Sequence, residues 1–224
     1  MTVWLEVEKA LEAIIIEYET VNHLISLFQD HKSRLVGLET VEQTSGVALE
    51  LGSGPGNFTR MIQKQHEGPI VCLDYSDKML YYSSRRNPSV THLRGVFEFL
   101  PLREGVIDFT SAAYALRDSL DKPQTYREVG RILKPGGCML MVDIGKPDNP
   151  LFRGVMALYM KYIVPVIGGL ASGYGYRNPW SVLYETYELL PTNSSLKQLV
   201  EKFMHKVDVY ERMLGAQVIF VARK

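Results

Sequence analysis

Apolar residues recur with two different periods along this chain, and the change of period divides it into elements. Between residues 5 and 41 the spacing is helical. Leu11, Ile14, Ile15, Tyr18, Val21, Leu24, Ile25 and Phe28 fall on one face, which predicts two helices ahead of the first strand. Short apolar runs then alternate with amphipathic stretches. Runs at 47–51, 70–73, 91–94, 107–112 and 138–143 read as strands. The stretches after residue 56, from 76 to about 86, and at 123–133 read as helices, with Ser76 as an N-cap. Lys134-Pro135-Gly136-Gly137 stops the third of these, because proline and paired glycines cannot continue a helix. Such alternation implies right-handed crossovers and a doubly wound, mainly parallel α/β sheet. The C-terminus breaks the alternation. After a helix at 195–204, the runs 206–210 and 216–222 are joined by a connection too short for a parallel crossover, so they must pair antiparallel.

The longest apolar stretch, 151–171, is interrupted by Arg153, Lys161, Pro165 and the Gly168-Gly169 pair. A spanning helix tolerates that combination poorly, so an amphipathic or buried helix is expected. At 224 residues one domain is the prior. The 25 lysines and arginines balance the 25 aspartates and glutamates, so no overall field attracts nucleic acid. Cys72 and Cys138 lie inside strand-like runs and read as small core residues. The histidines are scattered without ligand spacing, and no metal site is expected. Glu6, Glu8 and Glu12 near the N-terminus fit neither a secretory signal nor a transit peptide, so a cytoplasmic location is expected.

One segment carries chemistry. In Glu50-Leu51-Gly52-Ser53-Gly54-Pro55-Gly56-Asn57 a buried strand runs into three alternate glycines just before a helix. That turn lets a ligand lie against bare backbone at a helix N-terminus, although a glycine-rich βα turn with no ligand has the same look. The dinucleotide fingerprint wants glycine where Asn57 stands, which disfavours a dinucleotide oxidoreductase. Asp74 ends the second strand roughly twenty residues further on, where an acid can accept both hydroxyls of a ribose. Its alternative role is a turn or cap acid.

The G-x-G-x-G form with its preceding acid resembles the first motif of S-adenosylmethionine (SAM) methyltransferases. Asp74-Tyr75-Ser76-Asp77-Lys78-Met79-Leu80 resembles their D-x-S-x-x-M-L, and Gly95-Val96-Phe97-Glu98-Phe99-Leu100-Pro101-Leu102 their G-D-A-E-x-L-P-F. Leu133-Lys134-Pro135-Gly136-Gly137 is a further hallmark. Within that class, Tyr114-Ala115-Leu116-Arg117-Asp118, Tyr18 to Ser26, Asp143-Ile144-Gly145-Lys146-Pro147 and Tyr162 to Leu170 resemble, in order, segments of the ubiquinone/menaquinone biosynthesis C-methyltransferases. Trp180-Ser181-Val182-Leu183-Tyr184-Glu185-Thr186 takes the place of their Y-x-Y-L-x-x-S. The chain departs from the pattern at Glu19, Val96, Asp118, Gly145, Trp180 and Val182.

The resemblance implies a class I, Rossmann-like methyltransferase fold. Its seven-stranded sheet would occupy a single domain, with residues 1–44 as N-terminal helices and 146–192 as a helical lid over the acceptor. It also implies SAM as cofactor, S-adenosylhomocysteine (SAH) as product, and C-methylation of a demethylmenaquinol- or ubiquinol-type isoprenoid quinol. Cofactor contacts are expected from Glu50, Gly52, Gly54, Pro55, Gly56, Asp74, Tyr75, Met79, Val96, Phe97, Ala113 and Tyr114. Arg117 and Asp118 are the expected catalytic pair, Arg117 stabilising a phenolate or orienting a water and Asp118 serving as base or counter-charge. Tyr18, Asn22, Trp180 and Tyr184 are expected at the acceptor. The greasy stretch 151–171 suits a lipid-like acceptor, contact with a membrane surface, or burial against the sheet or a second subunit. Other phenols, sterols and phospholipid amines remain as acceptors, and so does a SAM- or SAH-binding protein without catalysis.

Overall fold

The computed structural model describes residues 18–41, 44–173, 175 and 178–224. The N-terminal positions Leu11, Ile14 and Ile15 lie outside them, as does the side chain of Tyr18. Among the described residues two helices precede the sheet: α1, Tyr18–Ile25, and α2, Gln29–Thr40. Leu27 and Phe28 separate them with left-handed backbone, φ 52° and 60°. Val21 is fully buried, as the helical spacing predicts. Phe28, expected on the same face, is 66 % exposed, because the left-handed break turns it out of the helical register.

Seven strands follow: β1 Ala48–Leu51, β2 Ile70–Asp74, β3 Thr91–Arg94, β4 Ile107–Ala113, β5 Leu133–Ile144, β6 Lys206–Arg212 and β7 Gln217–Arg223. Their order across the sheet is β3-β2-β1-β4-β5-β7-β6. The first five are parallel, while β7 pairs antiparallel with both β5 and β6, the hairpin expected from the short connection. A separate two-residue ladder joins Thr44–Ser45 to His66–Glu67.

The crossovers are α3, Asn57–Ile62; α4, Asp77–Arg86, whose N-cap Ser76 accepts a hydrogen bond from the Met79 N–H; and α5, Lys122–Ile132, capped by Asp121. One expectation shifts here. Strand β5 begins at Leu133, paired with Ile107, instead of after the glycines, and the register slips between Ile107 and Phe109 to absorb Pro135-Gly136-Gly137. The helix ends at Ile132, within a residue of the expected end, and the proline–glycine run becomes an irregular first stretch of strand.

Apolar side chains pack on both sheet faces, one cluster under α5 and α9 (Asn193–Val200), the other under α2 and α3. Cys72 and Cys138 are free and buried in the second. A third cluster stands apart. It joins Val21 of α1 to Met160, Val164, Trp180, Leu183 and Tyr187, which come from the insertion between β5 and β6. That insertion carries α6, Pro150–Leu158; a π-turn, Tyr159–Ile163; α7, Val164–Ser172; and α8, Leu183–Glu188. Helix runs from Pro150 to Ser172 despite Pro165, because the π-turn lies where proline removes a backbone bond.

Candidate active site

The glycine turn is tied to the end of β2. Gly52 N–H and Ser53 N–H both donate to the Leu73 carbonyl, at 2.8 and 3.1 Å. Two of the three glycines answer to their own surroundings. A methyl on Gly52 would strike Ala115, and one on Gly56 would strike the Asn87 and Ser83 side chains. Gly54 differs. With φ +53°, a Cβ there would meet nothing within 4 Å, so this glycine presents bare backbone to open space. Its N–H donates to Asp74 Oδ2 at 2.8 Å, and Ser76 N–H donates to Asp74 Oδ1 at 3.0 Å. The acid is thus oriented at the mouth of the turn, half-buried. Gly95 N–H donates to the Asp74 carbonyl at 3.1 Å, which brings the 95–97 loop beside the acid. Phe97 packs against the main core cluster, Val96 bridges to Phe99, and Met79 is buried under Ser76. Tyr75 is exposed, with the Arg94 guanidinium 5.4 Å over its ring. Turn, acid and loop form a cradle at the carboxyl ends of β1 and β2, where an open α/β sheet holds ligands. Its open glycine and oriented carboxylate fit SAM.

Beneath the turn Glu50 is almost fully buried and accepts a 2.6 Å hydrogen bond from Thr59 Oγ1. Burial pushes its carboxyl up to about 8, with the Thr59 bond and the Arg34 charge opposing.

Beside the cradle, a cavity of about 280 Å³ opens between the ends of β4 and β5, α1, α2 and the inserted helices. Most of its wall is apolar, from residues such as Ile25, Ile144, Phe152, Met156 and Leu183. Its polar groups come from the strand ends (Arg117, Tyr114 and Gln217) and from α1 and α2 (Asn22, Asp30 and Arg34). Arg117 is 8 % exposed and lies between two carboxylates. Its backbone N–H donates to Asp143 Oδ2 at 3.2 Å, its guanidinium reaches Asp143 Oδ1 at 3.5 Å, and its Nε lies 3.3 Å from Asp118 Oδ1. A further N–H donates to the Tyr114 carbonyl at 3.0 Å. Lys122 Nζ donates to the Arg117 carbonyl at 3.0 Å. Burial pushes Asp118 up to about 6, against the lowering pull of Arg117, and burial raises Asp143 as well.

Tyr114, expected on the cofactor side, lines this cavity. Its backbone is left-handed, φ 60°, a conformation that costs a non-glycine residue about 1–3 kcal/mol. Its hydroxyl accepts from Gln217 Nε2 at 3.3 Å, Ser33 Oγ donates to Gln217 Oε1 at 2.6 Å, and Arg34 lies 5.0 Å over the ring. Burial pushes the phenol up to about 12, so it stays neutral. Arg34 also pairs with Asp30 at 3.0 Å, and His23 meets Asp30 at 2.6 Å. Burial works to raise Asp30, but these partners and Ser26 hold it below the usual carboxylate range.

Two expected acceptor residues are elsewhere. Trp180 is buried in the third apolar cluster, its Nε1 donating to Asn22 Oδ1 at 3.4 Å, and Tyr184 packs beside that cluster under the Lys161 ammonium. The short turn at Pro179–Val182 brings Leu183 to the cavity instead. Asn22 does line it. Asp143, Arg34, Asp30 and Gln217 join the site from outside the residues expected there. The acidic end of a strand adjacent to the one preceding Arg117 was the available signal for Asp143; the others bore none.

Residues 4–224 match the model of the ubiE/COQ5 methyltransferase family. The chain is 26 % identical to a demethylmenaquinone methyltransferase of Staphylococcus saprophyticus, over 87 % of this chain and 85 % of that one. To the protein of the same name from Staphylococcus aureus it is 27 % identical, over 88 % and 83 %. Among solved structures it resembles a SAM-dependent methyltransferase from Thermotoga maritima described as a possible histamine N-methyltransferase (TM-score 0.69, 20 % identity, 97 % and 99 % covered). A SAM-dependent methyltransferase from Aquifex aeolicus is also similar (TM-score 0.63, 17 % identity, 95 % and 97 % covered). At those identities the structural likenesses speak to the fold.

Proposed function

Because the chain belongs to the ubiE/COQ5 methyltransferase family, and is thus a SAM-dependent methyltransferase, we propose that it methylates a ring carbon of a demethylmenaquinol-type isoprenoid quinol. The observation that carries this reading is the largely apolar cavity with Arg117 in its wall, backed by Asp118 3.3 Å from the arginine Nε, beside the glycine cradle. The names of the curated relatives point the same way.

When bound, SAM supplies a methyl group on a sulfonium that is already activated for transfer. Gly52, Gly54 and Gly56 would bring backbone against it, Asp74 would accept its ribose hydroxyls, and Phe97 would pack against its base. Glu50 would face its cationic end. On the acceptor side the apolar walls exclude water and grip an isoprenoid chain. Arg117 holds positive charge where a quinol hydroxyl becomes phenolate, which raises electron density on the neighbouring ring carbon. Asp118, its carboxyl held near 6 and so mostly ionised at neutral pH, is suited to take the hydroxyl proton, and once the methyl arrives the ring carbon gives up its own proton as the oxygen regains one. Phe152, Met156 and Leu183, from within residues 146–192, form the inner face of the lid.

Labelled SAM offered with demethylmenaquinol, other phenols and amines tests the reading. Label in the quinol ring is expected. Transfer to amines with none to any quinol would sink it.

A further inference from the structure

We propose that the outward face of the helix Pro150–Ser172 is a lipid-docking surface that seats the mouth of the acceptor cavity on an anionic bilayer. The proposal rests on the quinol reading for its purpose, and on its own observations for its geometry.

Among the described residues this helix alone is long and apolar enough to cross a membrane. Its packing does not suit crossing. Met160 and Val164, with Met156, are built into the third apolar cluster, and the Tyr159 hydroxyl donates to the Ile25 carbonyl at 2.8 Å. One face is therefore committed to protein. The other is not. Leu151, Val155, Leu158, Tyr162, Val166 and Leu170 are all exposed and succeed one another at three- or four-residue steps, which makes one stripe along the helix. Leu170 reaches 83 % exposure and Leu151 70 %. A stripe of this length is unusual on a water-soluble surface that touches nothing.

Two further observations choose the occupant. On the helix Pro150–Ser172 the charged residues are Arg153 and Lys161, both cationic, which complements an anionic headgroup layer. Lys161 is exposed on the helix itself. Second, the cavity opens inside the apolar patch. Val155 belongs to both the stripe and the cavity wall, and Leu27, Met213 and Leu214 line the cavity while remaining exposed. A helix with one apolar face and cations beside it lies in the plane of the headgroups. In that pose the mouth faces the acyl chains, and a long apolar tail can enter without crossing water. A second copy of the chain on the same face would close that route.

Flotation of the full chain with vesicles of phosphatidylcholine, with and without phosphatidylglycerol, tests the surface. Binding is expected, stronger with phosphatidylglycerol and weakened by salt. Leu158→Asp/Leu170→Asp, at two exposed positions outside the cavity wall, should reduce vesicle binding by at least about tenfold. The same variant should keep wild-type turnover on a short-tailed, water-soluble quinol and lose it on a long-tailed quinol in vesicles. Wild-type protein that ignores both vesicle types, or a variant that floats like wild type, would overturn the proposal. So would a wild-type dimer in sedimentation equilibrium that the variant dissociates while neither binds vesicles. Vesicle binding through the stripe with no methyl transfer to any quinol would instead refute the proposed substrate and leave the docking surface standing.

Discussion

Arg117 is held by two acids that differ in what they do for it. Asp143 binds both its backbone and its guanidinium from the adjacent strand, whereas Asp118 meets only the Nε side. Removing the arginine outright would leave two buried carboxylates without their counter-charge and threaten the fold. Arg117→Lys keeps the charge but loses the planar fork. It is expected to lower kcat about a hundredfold while calorimetric SAM affinity changes little. Unaltered turnover would remove Arg117 from the mechanism. Asp118 titrates near 6, so kcat should rise with pH through about 6 as its proton leaves, and Asp118→Asn should abolish that limb of the profile. Glu50 offers a stability test. Its folded value near 8 lies above the unfolded value of 4.5, so the native state holds a proton that the unfolded state has released. The sign follows: Glu50 lowers stability progressively as pH rises from about 4.5 to 8. Glu50→Gln should therefore melt higher than wild type by a margin that widens across that window. A margin independent of pH would contradict it.

At the scale of elements, β4, β5 and the helices over them decide where these side chains meet. Ala113 pairs with Val142 in the sheet, so the segment after β4 and the end of β5 arrive side by side, and Arg117 and Asp143 become partners across 26 residues of sequence. Above the other face, α2 lies close to β5 at a single glycine. A Cβ on Gly37 would stand 2.6 Å from Val142 Cγ2, and Val142 is fully buried. Two effects oppose each other in Gly37→Ala. Helix propensity gains up to about 1 kcal/mol, while overpacking a buried contact costs about 1–3 kcal/mol. Overpacking wins, because the valine has nowhere to move. Net destabilisation of about 1 kcal/mol is expected by urea titration, and α2 would pull Ser33 and Arg34 away from Gln217 and Tyr114. A stabilised variant would show that α2 rides further from the sheet.

For the whole molecule, periodicity made the frame legible. Alternating runs and one short terminal connection sufficed for a seven-stranded sheet with an antiparallel end, since both are consequences of local spacing and loop length. The glycine turn and Asp74 were legible for the same reason: each bears its chemistry within a few residues. What stayed hidden depends on packing between distant segments. Trp180 looked like an acceptor contact until Val21, Val164 and Tyr187 enclosed it, and the Arg34–Tyr114–Gln217 wall joins Tyr114 to two segments that carry no motif. The ligand provides the corresponding global test. A ligand that binds only the folded chain stabilises all of it, by about 2.7 kcal/mol at a concentration one hundred times its Kd. For a chain of this size that should raise Tm by about 5–10 °C with SAH. Asp74 is the acid oriented toward the open glycine, through Gly54 N–H. Asp74→Ala should thus shrink the SAH shift at the same concentration. The ligand-free Tm should fall only modestly, because Asp74 sits at a half-buried turn. A full SAH shift in that variant would remove Asp74 from the cofactor site, and an equal loss with Gly54→Ala would place the ligand against the bare backbone of the turn.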